Sequence, residues 1–539
     1  MQIITSSDEI ISSQEQLKQL LLDRIPANQQ SGFLNPVSPL ELAIEDFGVS
    51  SAELDKAVTL IEKAIKDQQK ILIFGDYDCD GVTATAVLWE ALKIKGVSAQ
   101  PFLPHREKHG YGLTQTALDE ILAIQKPDLV ITVDNGIVAN KEVAWLKEQG
   151  VKVIITDHHE PHGDLPKADA LIHTTQVAGV GVAWLLGREL LNNRQQAGEL
   201  LDLTVLGTIA DQVPLIGANR SLATAGLLAL QQTTRPSLLT LAELAGTDLS
   251  QATVNTINYS LAPRINAMGR LYSAMDALRA LVTRNPKNTR ELMSKLNTVN
   301  GERQDITEAA ISKVKDSLLS TPEDNYVLAI GDYHEGVIGL IASKLVDKYH
   351  KPSLVISNRN GAYKASCRSI PGVHLTELLR SLDSDLFTSL GGHAMAAGFS
   401  IEPEKLAEFQ NQLRRLSQKS ISADLLKPQL KVLGQLAWPL LNLETMDTIN
   451  QFTPYGAGNE EPLFLLKDIE IVDQRPVGKN GAHLKIQLRN LADGLSASAI
   501  CFQFKNKLPN NLAPTQLAIR LKTSTYRRGS VDIEIVAAT

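Results

Sequence analysis

Ile71-Leu72-Ile73-Phe74-Gly75-Asp76-Tyr77-Asp78-Cys79-Asp80-Gly81 reads as an apolar strand running straight into a turn that carries three carboxylates. Two further runs repeat the pattern: Leu129-Val130-Ile131-Thr132-Val133 leads into Asp134-Asn135-Gly136, and Val151-Lys152-Val153-Ile154-Ile155-Thr156 into Asp157-His158-His159. Between them Ala84, Val87, Leu88, Ala91 and Leu92 fall at helical spacing ahead of Gly96, and Val143 and Leu146 do the same ahead of Gly150. The β-α-β repeat predicts an α/β unit with a mostly parallel sheet. Ligands of such sheets sit beyond the carboxyl ends of the strands, where these acids and histidines lie. That is the outline of a two-metal site.

Each signal has a plainer rival. Asp76, Asp78, Asp80 and Gly81 fit positions 1, 3, 5 and 6 of a calcium-binding EF-hand loop. Position 12 would then be Val87, and the preceding run is strand-like rather than helical, so that reading fails. A solvated acidic turn is the other alternative, but three close carboxylates repel one another and a divalent cation is the simplest compensation. Asp134-Asn135-Gly136 alone is an ordinary turn, and Asp211, after Leu206-Gly207-Thr208-Ile209-Ala210, alone is a helix cap. His158 and His159 are adjacent, so on an extended backbone their side chains would diverge and one would ligate while the other faced substrate.

At 539 residues the chain is too long for one hydrophobic core. Cys79, Cys367 and Cys501 are odd in number and widely spaced, which supports neither a disulfide framework nor a thiolate zinc cluster. Hard oxygen and imidazole ligands are left for any metal. No run approaches a membrane span and the start does not resemble a signal peptide, so a cytoplasmic protein is expected. A polar helical stretch includes Asn300-Gly301-Glu302-Arg303, and a second α/β unit follows with strands at Tyr326-Val327-Leu328-Ala329-Ile330 and Ser353-Leu354-Val355-Ile356. Short alternating runs such as Leu484-Lys485-Ile486-Gln487-Leu488 close the chain as a small β-barrel or sandwich.

Gly75 to Gly81, Val133-Asp134-Asn135-Gly136, Asp157-His158-His159 and Gly207-Thr208-Ile209-Ala210-Asp211 together resemble the four motifs of the DHH phosphoesterase superfamily, in the order and spacing of its RecJ branch. Gly110-Tyr111-Gly112-Leu113, Ala178-Gly179-Val180-Gly181-Val182-Ala183, Pro263-Arg264-Ile265-Asn266-Ala267-Met268-Gly269-Arg270, His334-Glu335-Gly336 and Gly391-Gly392-His393 extend the likeness. The resemblance implies a DHH parallel-sheet domain and a DHHA1 α/β domain joined by a long helix, plus a C-terminal all-β OB-fold. The expected boundaries are a lead over 1–52, the DHH domain over 53–230, a helical connector over 231–317, DHHA1 over 318–420 and the OB-fold over 425–539. It further implies a single-stranded-DNA-specific 5′ to 3′ exonuclease of DNA repair and recombination that uses two Mn²⁺ or Mg²⁺ ions.

Carried over, the metal ligands would be Asp76, Asp78, Asp80, Asp134, His158 and Asp211, with Asp134 as the bridge. His159 would face the scissile phosphate, with Asp134 and Asp157 completing the catalytic set and Asp157 orienting the histidines. Cys79 replaces a small apolar residue between the acids and is read as packing. Strand-binding candidates are Arg106, Arg264, Asn266, Arg270, Arg368, Ser369, Gly391, Gly392 and His393.

Independently of that likeness, the stretch from Arg475 to Arg528 holds ten basic residues against the one acid Asp493. Lys485, Lys505, Arg520, Lys522 and Tyr526 are its candidates for gripping and stacking on a nucleic-acid strand. The expected partner is single-stranded DNA, with a single-strand-binding protein and a helicase as further candidates, no membrane, and a monomeric state. Two other readings stay open: a phosphodiesterase of short oligonucleotides or cyclic dinucleotides, and a non-catalytic replication scaffold that binds single strands.

Overall fold

The computed structural model describes residues 2–7, 9–161, 163–361, 363–504, 516–524 and 530–538. It divides into two units, one of Val37–Val213 with Gly217–Leu426 and the other of Met1–Pro36, Pro214–Ile216 and Lys427–Thr539.

After the helix Ser51–Lys66 the larger unit runs through β1 (Ile71–Phe74), α1 (Cys79–Ile94), β2 (Gln100–Phe102), the one-turn α2 (Arg106–His109), the helix Gln115–Ile124, β3 (Leu129–Val133), the helix Asn140–Glu148, β4 (Lys152–Asp157) and β5 (Ala170–His173). All neighbouring pairs in this sheet are parallel and the strand order is β2-β1-β3-β4-β5. The order reverses between β1 and β3, and that switch opens a crevice at their carboxyl ends. The acid turn leaves β1 there and Asp134 leaves β3 there. Every residue of β1 and β3 is buried, which explains runs that are apolar without alternation.

Helix α1 starts where the Asp78 carboxylate accepts the Gly81 N–H at 3.1 Å. It stops before Gly96, whose φ of +80° turns the chain out of the helix. Apolar almost all round, α1 is buried against α3 (Gly179–Leu191) and α4 (Leu201–Ala210). A connector follows, with α5 (Ala262–Leu271) and the 28-residue α6 (Pro286–Lys313). Asn285 caps α6 by accepting the N–H groups of Lys287 and Asn288, and Pro286 takes the first-turn position where its missing donor costs nothing. The connector leads into β6 (Val327–Gly331), α7 (Ile338–Tyr349), β7 (Ser353–Ser357), β8 (Tyr363–Arg368), β9 (Ser389–Gly392) and β10 (Ala396–Ile401). These strands form a second, mixed sheet in the order β9-β10-β8-β7-β6. Gly336 seats this part on α5: a Cβ there would lie 2.0 Å from the Arg270 carbonyl oxygen.

The smaller unit holds β11 (Phe464–Lys467), β12 (Ile469–Val477), β13 (His483–Asn490), β14 (Ser496–Cys501), β15 (Gln516–Thr523) and β16 (Val531–Ala538). Strand order is β12-β13-β14-β16-β15-β11, with β14 and β16 parallel. β11 and β12 are halves of one strand broken at Asp468, φ +55°, so the sheet closes on itself as a five-stranded barrel.

The first residues join this unit. Gln2–Thr5 pairs in parallel with Gln429–Val432, and Ile10–Ile11 with Gln435–Leu436. Leu17, Leu21 and Ile25 then pack into one core with Phe452 and Phe464. No described helix is long and apolar enough to cross a membrane.

Candidate metal and phosphate site

Three groups of side chains meet at the switch crevice, each with ligand atoms within 4.8 Å of one another: Asp76, Asp78 and Asp134; Asp80, His158 and Asp211; and Asp134, His158 and His159. Each is placed by its own element. Asp76 and Asp78 lie on the turn after β1, and Asp80 in the first turn of α1. Asp211 is the C-terminal cap of α4. Asp134 has φ +62°, a left-handed conformation that costs an L-residue about 1 kcal/mol. Its N–H is held by the Thr156 carbonyl at 3.0 Å. Asp80 reaches across to the start of α3, where its two oxygens accept the N–H groups of Gly179 at 2.7 Å and Val180 at 2.9 Å. The Ala178–Ala183 stretch, a motif without a role in the sequence, thereby positions Asp80.

The electrostatics describe buried carboxylates that repel one another. Burial, then the neighbouring Asp78, pushes Asp76 up to about 8 and Asp80 up to about 7. Burial, then Asp80 and Asp78, pushes Asp211 up to about 9, and Asp134 is also raised, by burial first. Burial pushes His158 down to about 3, helped by His159, which keeps its imidazole neutral and ligand-competent. His158 Nε2 lies 3.1 Å from Asp134 Oδ1, 3.7 Å from Asp211 Oδ2 and 3.8 Å from Asp80 Oδ2. Yet His158 Nε2 and Asp134 Oδ1 are both buried without a hydrogen-bond partner among the described residues. Orphaned acceptor atoms among desolvated carboxylates fit hard divalent cations.

The two histidines do not diverge. β4 ends at Asp157, and its carboxylate turns the chain by accepting the N–H groups of His158 at 2.7 Å and His159 at 3.1 Å. The rings stand 4.5 Å apart and both face Asp134. Asp157 also takes the Ile137 N–H at 2.8 Å and His159 Nδ1 at 2.8 Å. Burial works against the charge on His159, but Asp157 outweighs it and lifts that imidazole to about 9. His159 Nε2 meets the Tyr111 hydroxyl at 2.9 Å, a contact with no signal in the sequence beyond the Gly110–Leu113 motif.

Cationic groups gather beside the carboxylates. Arg106 stacks over Tyr77 at 4.1 Å, and its Nε is buried without a hydrogen-bond partner. Arg270 is pushed down to about 10 by burial and then by Arg106, Arg368 and Arg303. Arg368 donates to Ser366 Oγ and the Cys367 carbonyl, and makes no ion pair among the described residues. Arg264 lies farther along, donating to Asn297 at 3.0 Å. Its neighbour Arg303, on α6, was not singled out in the sequence; its Nε is buried and unpartnered too. His393 comes near enough to His158 to help hold that ring neutral.

Other candidates also make structural contacts. Asn266 Oδ1 accepts the Cys79 N–H at 2.8 Å and so fastens the acid turn to α5. The Ser369 hydroxyl donates to the Val373 carbonyl at 2.6 Å. Gly391 and Gly392 lie in β9 against β10, where a Cβ on Gly392 would strike the Ala396 carbonyl at 2.4 Å. The Cys79 thiol faces the Leu206 carbonyl rather than the carboxylates, and burial raises its pKa.

In the smaller unit Lys485 lies opposite Arg475 on the outward side of β13. Arg520 pairs with Glu461 at 2.8 Å and Glu534 at 3.2 Å, and Lys522 with Glu534 at 2.8 Å. Acids just outside the basic stretch therefore neutralise two of its cations. Lys505 and Tyr526 lie outside the described residues.

A parallel sheet with this acid and histidine crevice, coupled to a second α/β part, defines a DHH-type protein. The model of the DHH family, N-terminal domain, matches residues 70–208, the DHHA1 domain residues 323–419, and the RecJ OB domain residues 434–537. The single-stranded-DNA-specific exonuclease RecJ of Haemophilus influenzae is 34% identical over 510 residues, 88% of each chain. That of Bacillus subtilis is 35% identical over 479 residues, 86% of this chain and 59% of that longer one. The crystal structure of RecJ in complex with Mn²⁺ from Thermus thermophilus superposes with a TM-score of 0.82 at 28% identity, covering all of this chain and 79% of that one. The chain belongs to the RecJ family.

Proposed function

We propose that this chain is a metal-dependent exodeoxyribonuclease that hydrolyses phosphodiester bonds of single-stranded DNA from the 5′ end, in DNA repair and recombination. One observation carries the reading. Buried ligand atoms of Asp134 and His158 that have no hydrogen-bond partner among the described residues lie beside an arginine cluster, Arg106, Arg270 and Arg368, that makes no ion pair among those residues. The first half of that pairing suits divalent cations and the second suits a phosphate chain. The relatives named above are single-stranded-DNA-specific exonucleases, and one was crystallised with Mn²⁺.

Asp76, Asp78 and Asp134 would hold one Mn²⁺ or Mg²⁺, and Asp80, His158 and Asp211 a second, with Asp134 next to both. When bound, such ions supply the charge that activates a water and neutralises the developing phosphorane-like charge. The protein's own groups do the rest. Asp157 fixes His159 through Nδ1, so that Nε2 can donate to a non-bridging oxygen of the scissile phosphate. Arg106, Arg270 and Arg368 hold flanking phosphate charge. The closed barrel, with Lys485 and Arg475 on its outer side, would track a longer strand.

We take the acting unit to be a monomer. Its substrate and its three buried cysteines, none in a disulfide among the described residues, suit the reducing cytoplasm. A helicase to open duplex and a single-strand-binding protein to keep it open would supply the substrate.

The test is end-labelled single and double strands incubated with Mn²⁺, Mg²⁺ or chelator, with products resolved by size. Metal-dependent release from 5′ ends of single strands is expected. Asp134→Ala should abolish it while strand binding persists. Cleavage that survives exhaustive chelation would overturn the reading, and cleavage confined to dinucleotides would favour a small-substrate phosphodiesterase.

A further inference from the structure

In the proposed reaction His159 acts through Nε2, because Nδ1 is taken by Asp157 at 2.8 Å. That nitrogen is already occupied: the Tyr111 hydroxyl lies 2.9 Å from it. The Tyr111 ring stands edge-on to His159 at 82° and to Tyr77 at 71°, so the hydroxyl is aimed rather than brought there by chance. One N–H cannot point at both a phenol oxygen and a phosphate oxygen.

The chain around Tyr111 is built to release it. Gly110 and Gly112 have φ of +79° and +76°, and a Cβ on either would meet nothing within 4 Å. Glycine there serves backbone freedom, not packing. Just outside them the chain is pinned. His109 is 7% exposed, its Nδ1 accepts the His105 N–H at 2.9 Å and its Nε2 meets Glu120 at 3.0 Å. Thr114 Oγ1 donates to the His109 carbonyl at 2.9 Å, and Leu113 is in the core beside β1. Three residues can therefore reorient between two fixed points. Tyr111 itself is 52% exposed and gives up little buried surface on leaving.

We propose that Tyr111 is a latch on His159: its hydroxyl occupies Nε2 in the place of the scissile phosphate oxygen, and an incoming strand displaces it by turning the chain about Gly110 and Gly112. The proposal rests on reading the crevice as a phosphodiester site. The latched form competes with substrate, so apparent affinity is reduced by the fraction of molecules latched.

Tyr111→Phe keeps the ring and removes the hydroxyl. KM for a 5′-phosphorylated oligothymidylate should fall about two- to tenfold, the range covered by the net worth of one hydrogen bond. A hydroxyl that only positioned His159 would lower kcat and leave KM in place; that result, or a raised KM, overturns the latch. A second measurement does not depend on turnover. With 3-fluorotyrosine at position 111 of the full chain, the fluorine resonance should shift when a non-hydrolysable phosphorothioate strand is added. A resonance that stays put while fluorescence anisotropy reports a bound strand would also overturn it. Because the resonance reads binding, a chain that binds without hydrolysing would sink the nuclease reading while a shifted signal still upheld the latch.

Discussion

A Cβ on Gly179 would sit 2.3 Å from Asp134 Oδ1 and 2.6 Å from Asp134 Cβ, so nothing larger than hydrogen fits between α3 and the central carboxylate. The same residue donates its N–H to Asp80. One methyl group would therefore displace two proposed ligands at once. Gly179→Ala is expected to cut metal-dependent cleavage about a hundredfold, the usual cost of an ångström-scale misplacement, with the fold retained by circular dichroism. Gly207 is a similar case, 2.6 Å from Asp80 Oδ1. The acids were legible as a motif. The glycines that give them room were legible only as letters beside it, because what they avoid belongs to other elements.

Elements are fastened to each other by buried charge as well as by packing. Arg235, ahead of the helix Pro236–Ala245, donates to Glu90 of α1 at 2.6 Å and to Asp202 of α4 at 3.0 and 3.1 Å, and Arg284 joins at Glu90. All of Glu90, Asp202 and Arg235 are buried. Removing the central cation by Arg235→Met leaves Glu90 with only the exposed Arg284 and Asp202 with only the Thr233 hydroxyl among the described partners, and should lower stability by about 3 to 5 kcal/mol in urea melts. Replacing all three charges with apolar residues should regain much of that loss. In the second α/β part, Arg414 donates to Asp324 at 2.8 and 3.1 Å. Burial alone would raise the Asp324 pKa, but the Arg414 hydrogen bond and the Thr321 N–H outweigh it and hold it low. A carboxylate depressed in the folded state adds stability above its unfolded pKa of about 3.9 and loses it as pH falls through the folded value. Asp324→Asn should therefore lower the melting temperature at neutral pH and narrow its difference from the native chain below about pH 4. An unchanged difference at both pH values would remove Asp324 from the acid response.

At the scale of the whole molecule, the first 36 residues belong to the fold that ends the chain. Leu17, Leu21, Ile25 and Phe33 fill the same core as Phe452, Phe464 and Leu466. Deleting residues 1–36 should unfold or destabilise the C-terminal unit, seen as an early melting transition and as loss of long-strand affinity, while the Val37–Leu426 unit keeps its own transition. A single unchanged transition would refute that division. Removing residues 427–539 together with 1–36 should weaken binding to long strands and flatten its salt dependence more than it harms cleavage of short oligomers.

The parallel-sheet class, the strand ends at Phe74 and Val133, and the acids just beyond them could be read from the chain because each depends on neighbours in sequence. Apolar runs, helical spacing and the residues just after a strand report local geometry directly. The closure of Asp80 onto Gly179 and Val180, the hydroxyl of Tyr111 on His159, Arg303 among the arginines, the pairing of Arg520 and Lys522 with Glu461 and Glu534, and the return of the first strands to Gln429–Val432 could not be read that way. Each joins residues from separate elements, at separations where periodicity carries no phase. Which polar atom meets which is settled only when the elements pack and buried groups must find partners.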